Sequence, residues 1–130
     1  MRPLLGTHTF IWYDAGDPKL GPTARRLITD GANDVFVRVA TFWEMAIKAS
    51  MGRLDLRAPV DVLMFEAPRQ NRLVVLPIAP AHLAALRRLR LPFHHLDPFD
   101  RMLVAQARAE APTLVSRDTV LGAYDVRRAW

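Results

Sequence analysis

The stretch HHLDPFDRMLVAQARAEAPTLVSRD, residues 94–118, decides the fold. Its centre reads as a helix opening at Asp97, a residue type favoured at the N-cap. Pro98 suits the first helical position, and Asp100 falls at the third, near the positive end of the helix dipole. Phe99, Met102, Leu103, Gln106 and Ala107 recur at helical spacing, so one face should pack onto a core. Ala111-Pro112 ends the helix, and Thr113 to Val115 reads as a short buried strand. Ser116, Arg117 and Asp118 leave the carboxyl end of that strand. Asp100 thus stands on a helix start and Asp118 at a strand end. In an open α/β sheet, ligands bind on that side.

The same alternation extends outward. Pro3 to Leu5 reads as a first strand, followed by a Gly6-Thr7-His8 turn and a helical stretch from Thr9 to Tyr13. A helix is expected from Gly21 to Thr29 with Ala24, Leu27 and Ile28 inward, then a strand at Val35 to Val37. The next helix should start near Thr41 with the capping box Thr41-Phe42-Trp43-Glu44 and end by Gly52. Pro59 to Pro68 is a further helix, Leu73 to Leu76 a strand, and Pro80 to Leu89 a helix. Arg90 to Leu96 is loop. The tail holds a turn near Gly122 and an edge strand near Val126 to Trp130. Short apolar strands alternating with helices predict a mostly parallel sheet covered on both faces.

Composition narrows the function. A chain of 130 residues, 51% of them hydrophobic, can form one domain with a real core, here residues 1–130. No run approaches the roughly 18 apolar residues of a membrane span, and the N-terminus lacks a signal-peptide pattern. With no cysteine there are no disulfides or thiolate metal sites, which suits a cytoplasmic protein. The net charge of +5 favours an anionic partner such as nucleic acid, or alternatively only solubility. Lysine occurs only at Lys19 and Lys48, so the cations are chiefly arginines, which fork well to phosphate.

Glu44, Asp97, Asp100 and Asp118 are the residues that can carry chemistry. Converging carboxylates repel unless a cation neutralises them, which points to a hard metal ion. Each also has an ordinary reading. Glu44 can close its capping box and pair with Lys48, Asp97 can be only an N-cap, Asp100 a first-turn charge, and Asp118 a cap for the following turn. Their joint placement favours the functional reading. His94-His95 raises a zinc or iron site, but His8 and His82 are too scattered in sequence to complete one. The plainer reading sets His94 and His95 in a loop beside the acids, in reach of a phosphate. Trp43 reads as core, whereas Trp12 and Tyr13 lie near a loop and suit protein contact. Walker, dinucleotide and nucleophile-elbow motifs are absent.

Taken together, LLGTH at 4–8, ATFWEMAIKASMGRLDL at 40–56, HHLDPFDRMLVAQA at 94–107 and TLVSRD at 113–118 resemble the PIN-domain ribonucleases. Within that family they are most similar to the VapC-like toxins of bacterial toxin–antitoxin pairs, over nearly the whole chain. The resemblance implies a PIN-like three-layer α/β/α sandwich and an endoribonuclease dependent on Mg²⁺ or Mn²⁺. It also implies RNA as substrate, a cognate antitoxin as inhibitor, and a homodimer. The family's acids map onto Glu44, Asp100 and Asp118, with Asp97 as an additional acid of the metal site. One position departs: the family's first strand normally ends in aspartate before Thr-His, and this chain has Gly6. That change implies impaired catalysis, and it leaves open an alternative, a non-catalytic PIN-fold module that binds an antitoxin.

Overall fold

Five strands, each of two or three residues, form the centre of the computed structural model, which describes residues 1–90 and 97–130. They are β1 (Pro3–Leu5), β2 (Phe36–Arg38), β3 (Val74–Leu76), β4 (Thr113–Val115) and β5 (Arg128–Ala129). All pairings are parallel, in the order β3-β2-β1-β4-β5. Alternation along a strand sends neighbouring side chains to opposite faces. Leu5 and Val115 therefore join one core, with Phe10, Ala24, Ile28, Phe42, Met45, Leu63 and Ala67. Leu4 and Leu114 face the other, with Leu103, Val104, Ala107, Leu121 and Tyr124. Both faces are covered, so the expected α/β/α sandwich is what forms. Leu4, Leu5, Leu114 and Val115 are fully buried, and each such side chain contributes about 1.5–3 kcal/mol.

The first face carries α1 (Thr7–Ala15), α2 (Pro22–Thr29), α3 (Val39–Ser50) and α4 (Val60–Gln70). The second carries α5 (Pro80–Arg88), α6 (Pro98–Glu110) and a 3-10 helix at Thr119–Tyr124. Outside the sheet, Arg57 clips α1 to α4 through Asp14 at 3.0 Å and Glu66 at 2.6 Å. None of the described helices is long and apolar enough to cross a membrane.

Several boundaries differ from expectation for local reasons. Thr7 and His8 already belong to α1, because Gly6 rather than a longer turn serves as its N-cap. β2 is displaced by one residue toward Arg38. From there the chain enters α3 directly, with Arg38 as N-cap and no side-chain cap bond. The Thr41–Glu44 capping box is therefore absent. Thr41 lies inside the helix, buried beside the Thr7 hydroxyl at 3.4 Å. Trp43 is not core: it is 57% exposed, and Ile47 and Met51 share its exposed side. The helix instead buries Thr41, Phe42, Glu44 and Met45. Among the described residues Trp43 makes an edge contact with Phe99, ring centres 5.1 Å apart. α6 follows expectation: the Asp97 carboxylate accepts the Asp100 N–H at 2.8 Å, and Met102, Leu103, Gln106 and Ala107 are buried.

Candidate active site

In this strand order the connections run outward from β1 one way and from β4 the other, so the β1–β4 seam is the switch point where ligands bind. Gly6 leaves the carboxyl end of β1, and Ser116 leaves that of β4. Between them opens a pocket of about 420 Å³, and Glu44, Asp97, Asp100 and Asp118 all line it, with Lys48 and Arg117. Residues spread over the sequence thus converge on one cavity. Among the described residues no three acids or imidazoles are already drawn together as a metal cage. The convergence is on a pocket rather than a point.

Each acid has definite partners. Buried Glu44 accepts the Thr7 hydroxyl on Oε1 at 2.7 Å and the Lys48 ammonium on Oε2 at 2.5 Å. Asp97 and Asp118 act as caps while facing the pocket. Oδ1 of Asp97 takes the Asp100 N–H, and Oδ1 of Asp118 takes the Val120 N–H at 3.0 Å. The Asp118 N–H itself donates to Ser116 Oγ at 3.1 Å. The ordinary cap readings of these two residues are therefore true, and they do not exclude the other role. Asp100 differs. Burial first, and then the charges of Asp97, Glu44 and Asp118, together raise its pKa to about 6, with Arg38 opposing. A carboxyl held up by other carboxylates marks a place where added positive charge is favourable. The donors are all carboxylate oxygens, which fit a hard divalent cation such as Mg²⁺ or Mn²⁺.

The backbone at Gly6 does not require glycine. Its φ of −67° and ψ of 164° are open to any L-residue. A Cβ there would meet Val115 O at 3.5 Å and Ser116 Cβ and Oγ at 3.6 Å, ordinary contacts. A β-carbon at the end of β1 thus fits without displacement, at the wall of the pocket that Gly6 lines.

Sequence reading missed Arg38. It follows Val37 at the end of β2, and alternation turns it to the face covered by α6. Only 1% of it is exposed. Nη1 donates to the Phe99 carbonyl at 3.2 Å, and Nε has no partner among the described residues. Burial, partly offset by Glu44, Asp100 and Asp97, leaves its pKa lowered to about 10, so it stays cationic at neutral pH. The available signal was a charged residue within the apolar run Val35 to Ala40. Thr7 was read as turn, yet it orients Glu44.

Of the histidines, His82 is a core residue: Nε2 meets Glu110 Oε1 at 2.8 Å and Nδ1 accepts the Ala79 N–H at 2.9 Å. That pairing, with Arg2, holds the Glu110 carboxyl below its usual range. His8 lines the pocket and stacks on Trp12 at 5.7 Å, and its pKa is lowered by burial and by Lys48. Trp12 also carries the Arg117 guanidinium at 5.1 Å and an edge contact with Trp130 at 5.7 Å. Arg117 is at the pocket, and Arg101 is not among its lining residues. His94 and His95 lie outside the described residues.

A parallel α/β/α sandwich with acids gathered at the switch point defines the class of protein. Residues 4–127 match the family described as PIN domain, and the chain belongs to that family. No curated protein matches the sequence. Among solved structures, the chain is similar to one from DNA-bound VapBC of Salmonella typhimurium, with a TM-score of 0.72 and 18% identity over 99% of this chain and 97% of that one. VapBC2 from Rickettsia felis, bound to a promoter DNA fragment, gives 0.71 and 14% over 99% and 98%. FitAcB from Neisseria gonorrhoeae gives 0.64 and 21% over 97% and 95%. These likenesses establish the shared fold.

Proposed function

We propose that the chain is built as a metal-dependent endoribonuclease toxin of a toxin–antitoxin pair, impaired by Gly6. The observation that carries this reading is the pocket at the β1–β4 seam, where Glu44, Asp97, Asp100 and Asp118 meet and the repulsion on Asp100 is only partly relieved by Arg38. A bound Mg²⁺ or Mn²⁺ would supply water activation and charge neutralisation at the scissile phosphate. Glu44, Asp100 and Asp118 would hold it, directly or through water, with Asp97 at the rim. Thr7 keeps Glu44 oriented, and Lys48 and Arg117 offer cations to the flanking phosphates of a single-stranded or looped RNA. One ion rather than two is expected, because an acid is missing.

The test uses the Gly6→Asp protein, free of antitoxin, on a broad panel of structured RNAs. Cleavage should require Mg²⁺ or Mn²⁺, stop with chelator, and stop when Asp118→Asn is added. If a folded Gly6→Asp protein that binds metal cleaves none of the panel, the nuclease reading fails.

A second reading is favoured by the exposed stripe of Trp43, Ile47 and Met51. Here the chain is an interaction module, and an antitoxin segment covers apolar helix faces while setting a basic side chain among Glu44, Asp100 and Asp118. VapBC and FitAB assemblies share this fold, so an antitoxin partner suits either reading, as does a homodimer. Co-purification with the protein encoded next to it supports partner binding. A monodisperse free chain with no affinity for that protein rejects it.

A further inference from the structure

We propose that Arg38 is a built-in cation of the acid pocket, which holds the carboxylate cluster together without a metal ion and weakens its grip on one. The inference deepens the metal-site reading above and rests on it. Its first support is position. Arg38 ends β2 and caps α3, the helix that carries Glu44, and its Nη1 holds the Phe99 carbonyl, one residue before Asp100. One residue therefore ties the two helices that bring acids to the seam, its backbone opening α3 and its guanidinium holding α6. The second support is burial with incomplete pairing. Arg38 is 1% exposed, and its Nε lacks a partner among the described residues. A buried cation left partly unpaired is costly unless nearby negative charge compensates it. Among the described residues its side chain bonds to a carbonyl, next to Asp100 in the chain, and the negative charge acting on it is that of Glu44, Asp100 and Asp97.

The Lys48 ammonium plays the matching part at the pocket wall, where it occupies Glu44 Oε2. Lys48 is partly exposed and can swing away, whereas Arg38 is enclosed and cannot. Arg38 consequently acts as a positioning residue rather than a catalytic one. It fixes the first turn of α6 against α3, and its charge lies close enough to the carboxylates to oppose a divalent ion among them.

The experiment is a Mn²⁺ titration of the full chain followed by the loss of the free-ion EPR signal, beside melting curves in chelator. Arg38→Met should bind Mn²⁺ about tenfold more tightly than the parent, since a repelling charge is gone. Arg38→Lys should bind like the parent. Arg38→Met should also melt lower in chelator, and Asp100→Asn in that background should recover most of the loss. Parental Mn²⁺ affinity in a folded Arg38→Met protein would overturn the proposal. If Arg38→Met does not fold, recovery of folding by Asp100→Asn supports the proposal and failure to recover contradicts it. If no variant binds Mn²⁺, including Gly6→Asp, the metal reading falls. The melting comparison then decides Arg38 alone, and simply additive effects of the two substitutions count against it.

Discussion

At Asp100, burial and the charges of Asp97, Glu44 and Asp118 lift the carboxyl from 3.8 to about 6. The unfolded chain therefore releases this proton at lower pH than the folded one. Between about pH 4 and 6 the unfolded state binds fewer protons, so stability falls as pH rises and stays reduced above 6. Below the unfolded value the effect vanishes. Asp100→Asn should flatten this slope in metal-free buffer. At pH 7 it should raise the melting temperature by roughly 3–5 °C, equivalent to about 1 kcal/mol after allowance for solvent screening. At pH 3.5 the two proteins should melt together. A lower melting temperature for Asp100→Asn at pH 7 would mean that its charge is already compensated. Asp97, Asp100 and Asp118 were legible in the sequence, because a helix start and a strand end announce their positions, whereas Glu44 was read into a capping box that does not form. Arg38 was not, since nothing in an apolar run says which alternate residue faces a neighbouring helix rather than solvent.

Helix α6 shows what local signals can and cannot convey. Its N-terminus was readable in Asp97-Pro98, and both residues do there what their chemistry favours. Its C-terminus carries a strain that Pro112 alone did not reveal: Ala111 adopts φ 53° and ψ 36°, the left-handed region. Alanine pays a Cβ penalty there that glycine does not. Ala111→Gly should therefore stabilise the protein by about 0.5–1 kcal/mol, seen as a higher denaturant midpoint at unchanged slope. An unchanged or lower midpoint would show that contacts of the methyl group outweigh the strain. Helix α3 teaches the opposite lesson. Trp43, Ile47 and Met51 do share a side, but hydrophobic period alone does not say which side meets the sheet. Phe42 and Met45 won it, and the Thr41–Glu44 spacing that mimics a capping box serves instead to set Thr41 and Glu44 against Thr7.

For the whole molecule, the parallel sheet was legible from alternating short strands and helices, whereas strand order was not. Order arises from long-range pairing of β1 with both β2 and β4, and that pairing creates the seam at which the acids meet. The chain as a whole carries a net charge of +5. RNA affinity should therefore fall linearly in log–log terms as salt is raised, and Arg117→Ala should reduce the slope by about one phosphate contact. A flat salt series, or no binding, would leave the arginines with solubility alone. The central claim is that this seam is a divalent-metal site lacking the ligand that position 6 would supply. Its most direct test is Mn²⁺ affinity, measured side by side for the chain and for Gly6→Asp. A restored carboxylate should tighten binding by roughly ten- to a hundredfold, or about 1.4–3 kcal/mol once acid–acid repulsion is deducted. Equal affinity in two folded proteins would contradict it.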